Sequence, residues 1–281
     1  MDFSWFFIIV QLIFLEGLLS LDNAAVLGAM VAPLPNHEPV PWPAWLAWLG
    51  RILDPILGGQ QDAALKVGLL GAYAGRGLML LIAHWVIQYP WLQVVGGAYL
   101  VYLGVEHLGI SDAEEAAAHG RPAPPVEVPS FWRVVVMVEL ADLVFSLDNV
   151  VAAVALADHI VVVLIGVALG ILALRWAASM FAVMVEREPV LLKAAYALVL
   201  AIGLRFCLEQ IFEFEIVPAV QFAVSLGILA SAWLYAHWSP MRLLHPLVYR
   251  IRRLFYQVLS AIKHVVTLRM FIQAEVSGGE G

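Results

Sequence analysis

Cysteine occurs once in this chain of 281 residues, at Cys207, and Lys, Arg, Asp and Glu together make up only 13% of it. A single thiol excludes an intramolecular disulfide and any thiolate cluster within one chain. So little charge, with 63% hydrophobic residues and a mean hydropathy of +0.89, excludes a soluble globular protein and leaves the polytopic membrane class. Other absences narrow the function. The last apolar run, Val217 to Trp238, has no lysine, so it cannot carry the Schiff base of a retinal photoreceptor. The membrane aspartates lack a Gly-x-Gly-Asp setting, which removes an intramembrane aspartyl protease; no enzyme is read here, and no nucleic-acid partner. The first apolar run has neither a basic n-region nor a small-residue cleavage site, so it reads as a retained span rather than a signal peptide.

What is present is a set of apolar runs long enough to cross a bilayer at about 20 residues each. They extend over Trp5 to Val31, Leu65 to Ile87, Trp91 to Leu108, Trp132 to Ala157, Ile160 to Val185, Leu191 to Phe212 and Val217 to Trp238. Seven transmembrane helices are predicted, with the N-terminus outside and the C-terminus inside. In that orientation twelve of the fifteen Lys and Arg residues fall on the inner side, Arg76, Arg175 and Arg205 fall within spans, and the outer loops hold none. The formal charge of −7 sums two opposite faces and says little about partners beyond the bilayer.

Ser-Leu-Asp-Asn occurs twice, at Ser20 to Asn23 and Ser146 to Asn149, with an acid four residues before each serine: Glu16 and Asp142. The two copies lie 126 residues apart. Gly71 and Arg76 in the second run answer Gly170 and Arg175 in the fifth at an offset of 99, and Gly104 and Gly203 keep that offset. The difference of 27 residues is an insertion, residues 33–63, where Pro33, Pro35, Pro39, Pro41 and Pro43 break helix and Trp42, Trp45 and Trp48 suggest an interfacial segment. The expected plan is all-α: a first three-helix repeat over 1–108, a linker over 109–130, a second repeat over 131–212, a seventh helix over 213–238 and a basic cytoplasmic tail over 239–281. An odd number of spans per unit inverts the second copy, as in secondary transporters whose sites lie where the units meet. In the tail, Leu243, Leu247, Ile251, Leu254, Val258, Ile262 and Val265 recur at three- and four-residue steps, the pattern of an amphipathic helix.

Glu16, Asp22, Glu139, Asp142 and Asp148 sit well inside spans. At about 2.5 to 3.5 kcal/mol each at a helix centre, they oppose insertion by roughly 12 to 17 kcal/mol unless paired, protonated or neutralised by a cation. At about 100° per residue, Glu16, Ser20 and Asn23 share one face of the first span, and Glu139, Asp142, Ser146 and Asn149 one face of the fourth. Asp22 and Asp148 fall about 120° off those faces, so either the helices unwind near Ser-Leu-Asp-Asn or the two aspartates face a neighbouring helix. Carboxylate, amide and hydroxyl oxygens suit Mg, Ca or Mn, whereas zinc or copper would call for His or Cys; His84 is the only histidine near mid-span. Arg76 and Arg175 are candidate counter-ions, or else snorkel to the interfaces. Glu106 and Glu209 lie near span ends, where solvation is expected.

These residues carry a family likeness. Glu16 with Leu-Ser-Leu-Asp22-Asn23, and Glu139-Leu-Ala-Asp142-Leu-Val-Phe-Ser146-Leu-Asp148-Asn149, resemble the motifs of the TerC integral membrane proteins of the LysE transporter superfamily, which include the Alx-type manganese exporters. The resemblance implies residence in a bacterial inner membrane and export of Mn2+ as cargo, with no resident cofactor. It implies that Glu16, Asp22, Glu139, Asp142 and Asp148 coordinate metal or exchange protons, and that Asn23 and Asn149 complete the shell or stabilise helix breaks. Ser20, Ser146, Arg76 and Arg175 would support the ligands from behind. Glu139 has no counterpart in the first repeat, where Ile13 stands. The alternative is a non-transporting membrane scaffold of a metal or tellurite stress-response complex, holding a structural ion.

Overall fold

The computed structural model describes residues 21–89, 91–110, 129–156, 160–212, 214, 216–238, 245–258 and 260–261. The helices are α1 (Leu21–Val31), α2 (Ala47–Leu57, after a 3-10 turn Ala44–Leu46), α3 (Gln60–Gln88), α4 (Trp91–Leu108), α5 (Phe131–Leu156), α6 (Ile160–Arg187), α7 (Val190–Phe212), α8 (Pro218–His237) and α9 (245–258). No strand occurs among the described residues. Helix is the state expected of long apolar runs, because hydrocarbon offers the backbone no hydrogen-bond partner other than its own turns. Three stretches of the described residues, Ala168–Arg187, Val190–Phe212 and Ala219–His237, are long and apolar enough to cross a membrane.

Helix α5 is unbroken through Ser146 to Asn149, and α1 is regular from Leu21 onward. Unwinding is therefore absent from the second Ser-Leu-Asp-Asn and from the described part of the first, Leu21 to Asn23. The inserted segment is more ordered than its prolines suggest. Gly58 ends α2 in a left-handed conformation (φ 78°), its N–H donating to the Asp54 carbonyl at 3.1 Å. Trp42 donates from Nε1 to Asp54 at 2.7 Å, while Trp45 and Trp48 are exposed. The Gln61 amide fastens the insertion to the bundle: its Nε2 lies within 3.0 Å of the Ala32 and Leu34 carbonyls and of Glu186 at the end of α6.

Packing is led by α4 with α7, followed by α3 with α5 and α1 with α6; α8 leans chiefly on α7. This pattern is unchanged when α1, α3 and α4 are exchanged for α5, α6 and α7. Helices α4 and α7 cross antiparallel at glycines. A Cβ on Gly104 would lie 2.9 Å from the Leu200 nitrogen, and one on Gly203 would lie 2.7 Å from the Val101 nitrogen. The two contacts are reciprocal, since the offset of 99 converts each into the other. Val26, Leu27, Leu100, Leu103, Val138, Ala141, Ala178, Leu198 and Val199 are fully enclosed between these helices. Outside them, Leu70, Val136, Leu172, Trp176, Val220 and Leu226 are exposed, as suits helices whose outer surface meets lipid.

Candidate functional site

Two buried acidic centres lie at helix seams. The first is Asp22, 5% exposed on α1. Its Oδ1 accepts the Asn23 backbone N–H at 2.9 Å, and its Oδ2 accepts from Gln221 Nε2 at 3.3 Å and Ser225 Oγ at 3.2 Å, both on α8. The neighbouring-helix explanation for the off-face position of Asp22 is thus the one realised. Behind it, Gln221 Oε1 accepts from Arg205 on α7. Arg205 Nε pairs with Glu209 at 3.7 Å, and Glu209 accepts the Ile216 N–H at 3.0 Å. A continuous polar chain therefore joins Asp22 to the connection between α7 and α8. Glu209 is not solvated as expected; its side chain is 13% exposed, because α8 folds back over the end of α7.

The second centre lies among α3, α5 and α6. Arg175 Nη2 is 3.6 Å from both Glu139 and Asp142 and donates to the Gly68 carbonyl at 2.7 Å. Arg175 is therefore a counter-ion for these two acids and does not snorkel. The Glu139 carboxylate occupies the space that side chains on α3 would fill: a Cβ on Gly71 would lie 2.0 Å from its Oε2, and one on Gly68 2.7 Å from its Oε1. Asp142 is 2% exposed, and its Oδ1 meets no hydrogen-bond donor among the described residues. Ser146 turns its hydroxyl back to the Asp142 carbonyl at 2.7 Å, a bond within its own helix.

Asn23 and Arg76 are buried. Asp148 and Asn149 stand on the helical backbone of α5, and His84 on that of α3, with their side chains outside the described residues. Glu16 and Ser20 lie outside them altogether, as do the linker 111–128 and the tail beyond 261. Among the described residues no three of His, Cys, Asp and Glu gather into one metal-sized cluster; the acids are divided between the two seams.

Gln221, Ser225, Arg205 and Glu209 were not among the expected site residues. A signal existed: Gln221 and Ser225 are polar residues one turn apart in the first half of a largely apolar run, and therefore share a face. Gln221→Leu removes a donor from buried Asp22 and the acceptor of Arg205. It is expected to lower stability by about 1–3 kcal/mol, read as an earlier thermal unfolding midpoint in detergent, with Gln221→Asn retaining part of the difference.

A family model described as "Integral membrane protein TerC family" matches residues 51–242, a range that takes in the Arg175 centre and begins after Asp22. The uncharacterized membrane protein YceF of Bacillus subtilis is 34% identical over 226 residues, covering 79% of each chain. Bacillus subtilis YkoY, also an uncharacterized membrane protein, is 26% identical over 258 residues, 85% of this chain and 69% of its own. The putative membrane-bound redox modulator Alx of Escherichia coli is 26% identical over 206 residues, 65% of this chain and 64% of its own. No solved structure matches the chain.

Proposed function

The chain belongs to the TerC family of integral membrane proteins, and on that footing we propose that it exports a hard divalent cation, Mn2+ foremost, by alternating access at buried carboxylates. The observation that carries this reading is the placement of Glu139 and Asp142. Both project from α5; the Glu139 carboxylate closes against Gly68 and Gly71 of α3, and Arg175 of α6 ties both acids to the Gly68 carbonyl, at the seam that rocking of two three-helix units would open. The interchangeable packing of the two units and the reciprocal glycine crossing of α4 and α7 support an inverted repeat, with the N-terminus outside and the C-terminus in the cytoplasm. Asp22 and Asp142 supply oxygen donors of the kind Mn2+ accepts. Asp148 and Asn149 would complete the shell from the next turn of α5, with Glu16 and Asn23 on the first span.

In this reading Arg175 occupies the carboxylates while the cation is absent and must yield them when it arrives. Gln221 and Ser225 do the same for Asp22, the amide rotating to offer its oxygen. Carboxylates in excess of the two charges of the ion give protons a place in the return step.

A second reading has one observation in its favour. Arg175 already compensates Glu139 and Asp142, as a structural ion pair in a non-transporting scaffold would. Total cellular Mn, Ca, Mg, Fe and Zn, measured by mass spectrometry in an export-deficient host under manganese load, separates the two. Wild type is expected to lower Mn several-fold against the empty vector, with the other metals unchanged, and Asp22→Asn with Asp148→Asn to abolish the fall. Flux in proteoliposomes containing only this protein should follow the same order; binding without flux would establish the scaffold.

A further inference from the structure

Helix α9 takes no part in the transport reading, yet it is attached at a defined place. Arg252 donates from Nε to the Leu108 carbonyl and from Nη2 to the Gly109 carbonyl, each at 3.2 Å. The Tyr256 backbone lies close by, its nitrogen 3.5 Å from where a Cβ on Gly109 would stand. The guanidinium thereby satisfies terminal carbonyls of α4, groups that a helix end leaves without internal partners. On the seven-span reading, in which α4 crosses the bilayer, its end lies at the membrane–water boundary and α9 is held at that depth.

The helix presents three distinct faces. Val248, Arg252, Phe255 and Tyr256 are half-buried toward the protein. At about 100° per residue, Leu247, Ile251, Leu254 and Val258 form a stripe about 60° wide, centred about 115° from that face. All four are 43–57% exposed. Arg250 and Arg253, also exposed, lie beyond the stripe on the side away from the protein. No acid occurs between residues 216 and 274, while Arg242, Arg250, Arg252, Arg253, Lys263 and Arg269 do.

We propose that α9 is a recognition element for anionic phospholipid. It lies in the plane of the bilayer surface at the C-terminal end of α4, with Leu247, Ile251, Leu254 and Val258 in the acyl boundary and Arg250 and Arg253 on lipid phosphates. An apolar stripe alone would equally suit a second copy of the chain. The acid-free cationic stretch decides for lipid, because a second α9 would bring like charges together, whereas an anionic leaflet attracts them. Arg252 makes the docking relevant to the bundle, since it joins the lipid-bound helix to α4, the partner of α7.

The test uses the full chain in nanodiscs, with Cys207→Ala and an environment-sensitive fluorophore on Leu254→Cys. As phosphatidylglycerol replaces phosphatidylcholine, emission should shift to the blue and acrylamide quenching should fall to the level of a label at Leu226→Cys on the exposed face of α8. Arg250→Gln with Arg253→Gln should weaken this docking about thirtyfold, at about 1 kcal/mol for each basic residue near an anionic surface, and salt should act in the same direction. A label equally open to acrylamide in every lipid would overturn the proposal. So would shielding indifferent to phosphatidylglycerol and to both arginines, or shielding found only when two copies share a disc.

Discussion

Arg175→Ala is expected to destabilise the purified protein by about 3–5 kcal/mol, the range for removing one partner of a buried ion pair. The guanidinium is 6% exposed, and it stands at 3.6 Å from each of two carboxylates while donating to the Gly68 carbonyl at 2.7 Å. Truncation therefore removes the only cation paired with Glu139 and Asp142 among the described residues. It leaves the buried Asp142 carboxylate without its cation and beside the like charge of the partly exposed Glu139, where burial makes the Asp142 charge expensive and the repulsion is incompletely screened. Arg175→Lys keeps the charge but replaces a planar fork with a point donor on a shorter reach, and should fall between wild type and Ala. The decisive comparison is Arg175→Met combined with Glu139→Gln and Asp142→Asn. With no charge left to compensate, this triple variant should recover most of the loss, because replacing a whole buried ion group is often close to neutral. Thermal midpoints from fluorescence-detected size exclusion read all three. A triple variant as unstable as Arg175→Ala would mean that arginine packing between α3 and α6, rather than charge, supports this seam.

The course of the helices was legible because it depends on local composition. The ends of α3 to α8 fall within a few residues of the apolar runs, and the one larger shift, α3 starting at Gln60 rather than Leu65, arises where Gln60 and Gln61 hold the insertion. Helix α2 was not foreseen: Pro55 lies within it, and proline weighs against helix when tertiary packing is unknown. The internal offset of 99 was legible too; that Gly104 and Gly203 sit at one crossing and make reciprocal contacts was not. What sequence could not give was the identity of the neighbours. Asp22 meets Gln221 and Ser225 on α8, a helix whose closeness to α1 no local pattern announces. Arg175 could have snorkelled or paired, and only the approach of α5 to α6 decides. Such facts depend on contacts between residues far apart in the chain, Asp22 to Ser225 being 203 residues.

Gly203→Ala and Gly97→Ala should each destabilise the protein by about 1–3 kcal/mol, the usual range for overpacking, even though alanine is the better helix former. At Gly203 a Cβ would lie 2.7 Å from both the Gly97 oxygen and the Val101 nitrogen; at Gly97 it would lie 2.8 Å from the Gly203 oxygen. These obstacles are backbone atoms, so no rotamer change can relieve them, and α4 and α7 must separate along their most extensive contact. The opposite sign is expected at Gly77 and Gly227, where a Cβ meets nothing within 4 Å. There, Gly→Ala should leave stability unchanged or raise it by up to about 1 kcal/mol through helix propensity alone. The double variant Gly97→Ala with Gly203→Ala should lose less than the sum of the single losses, since one separation of the helices accommodates both methyl groups. Additive losses would place the strain within each helix. A shortfall would locate it at the crossing of α4 and α7, where the Gly97 and Gly203 backbones face each other.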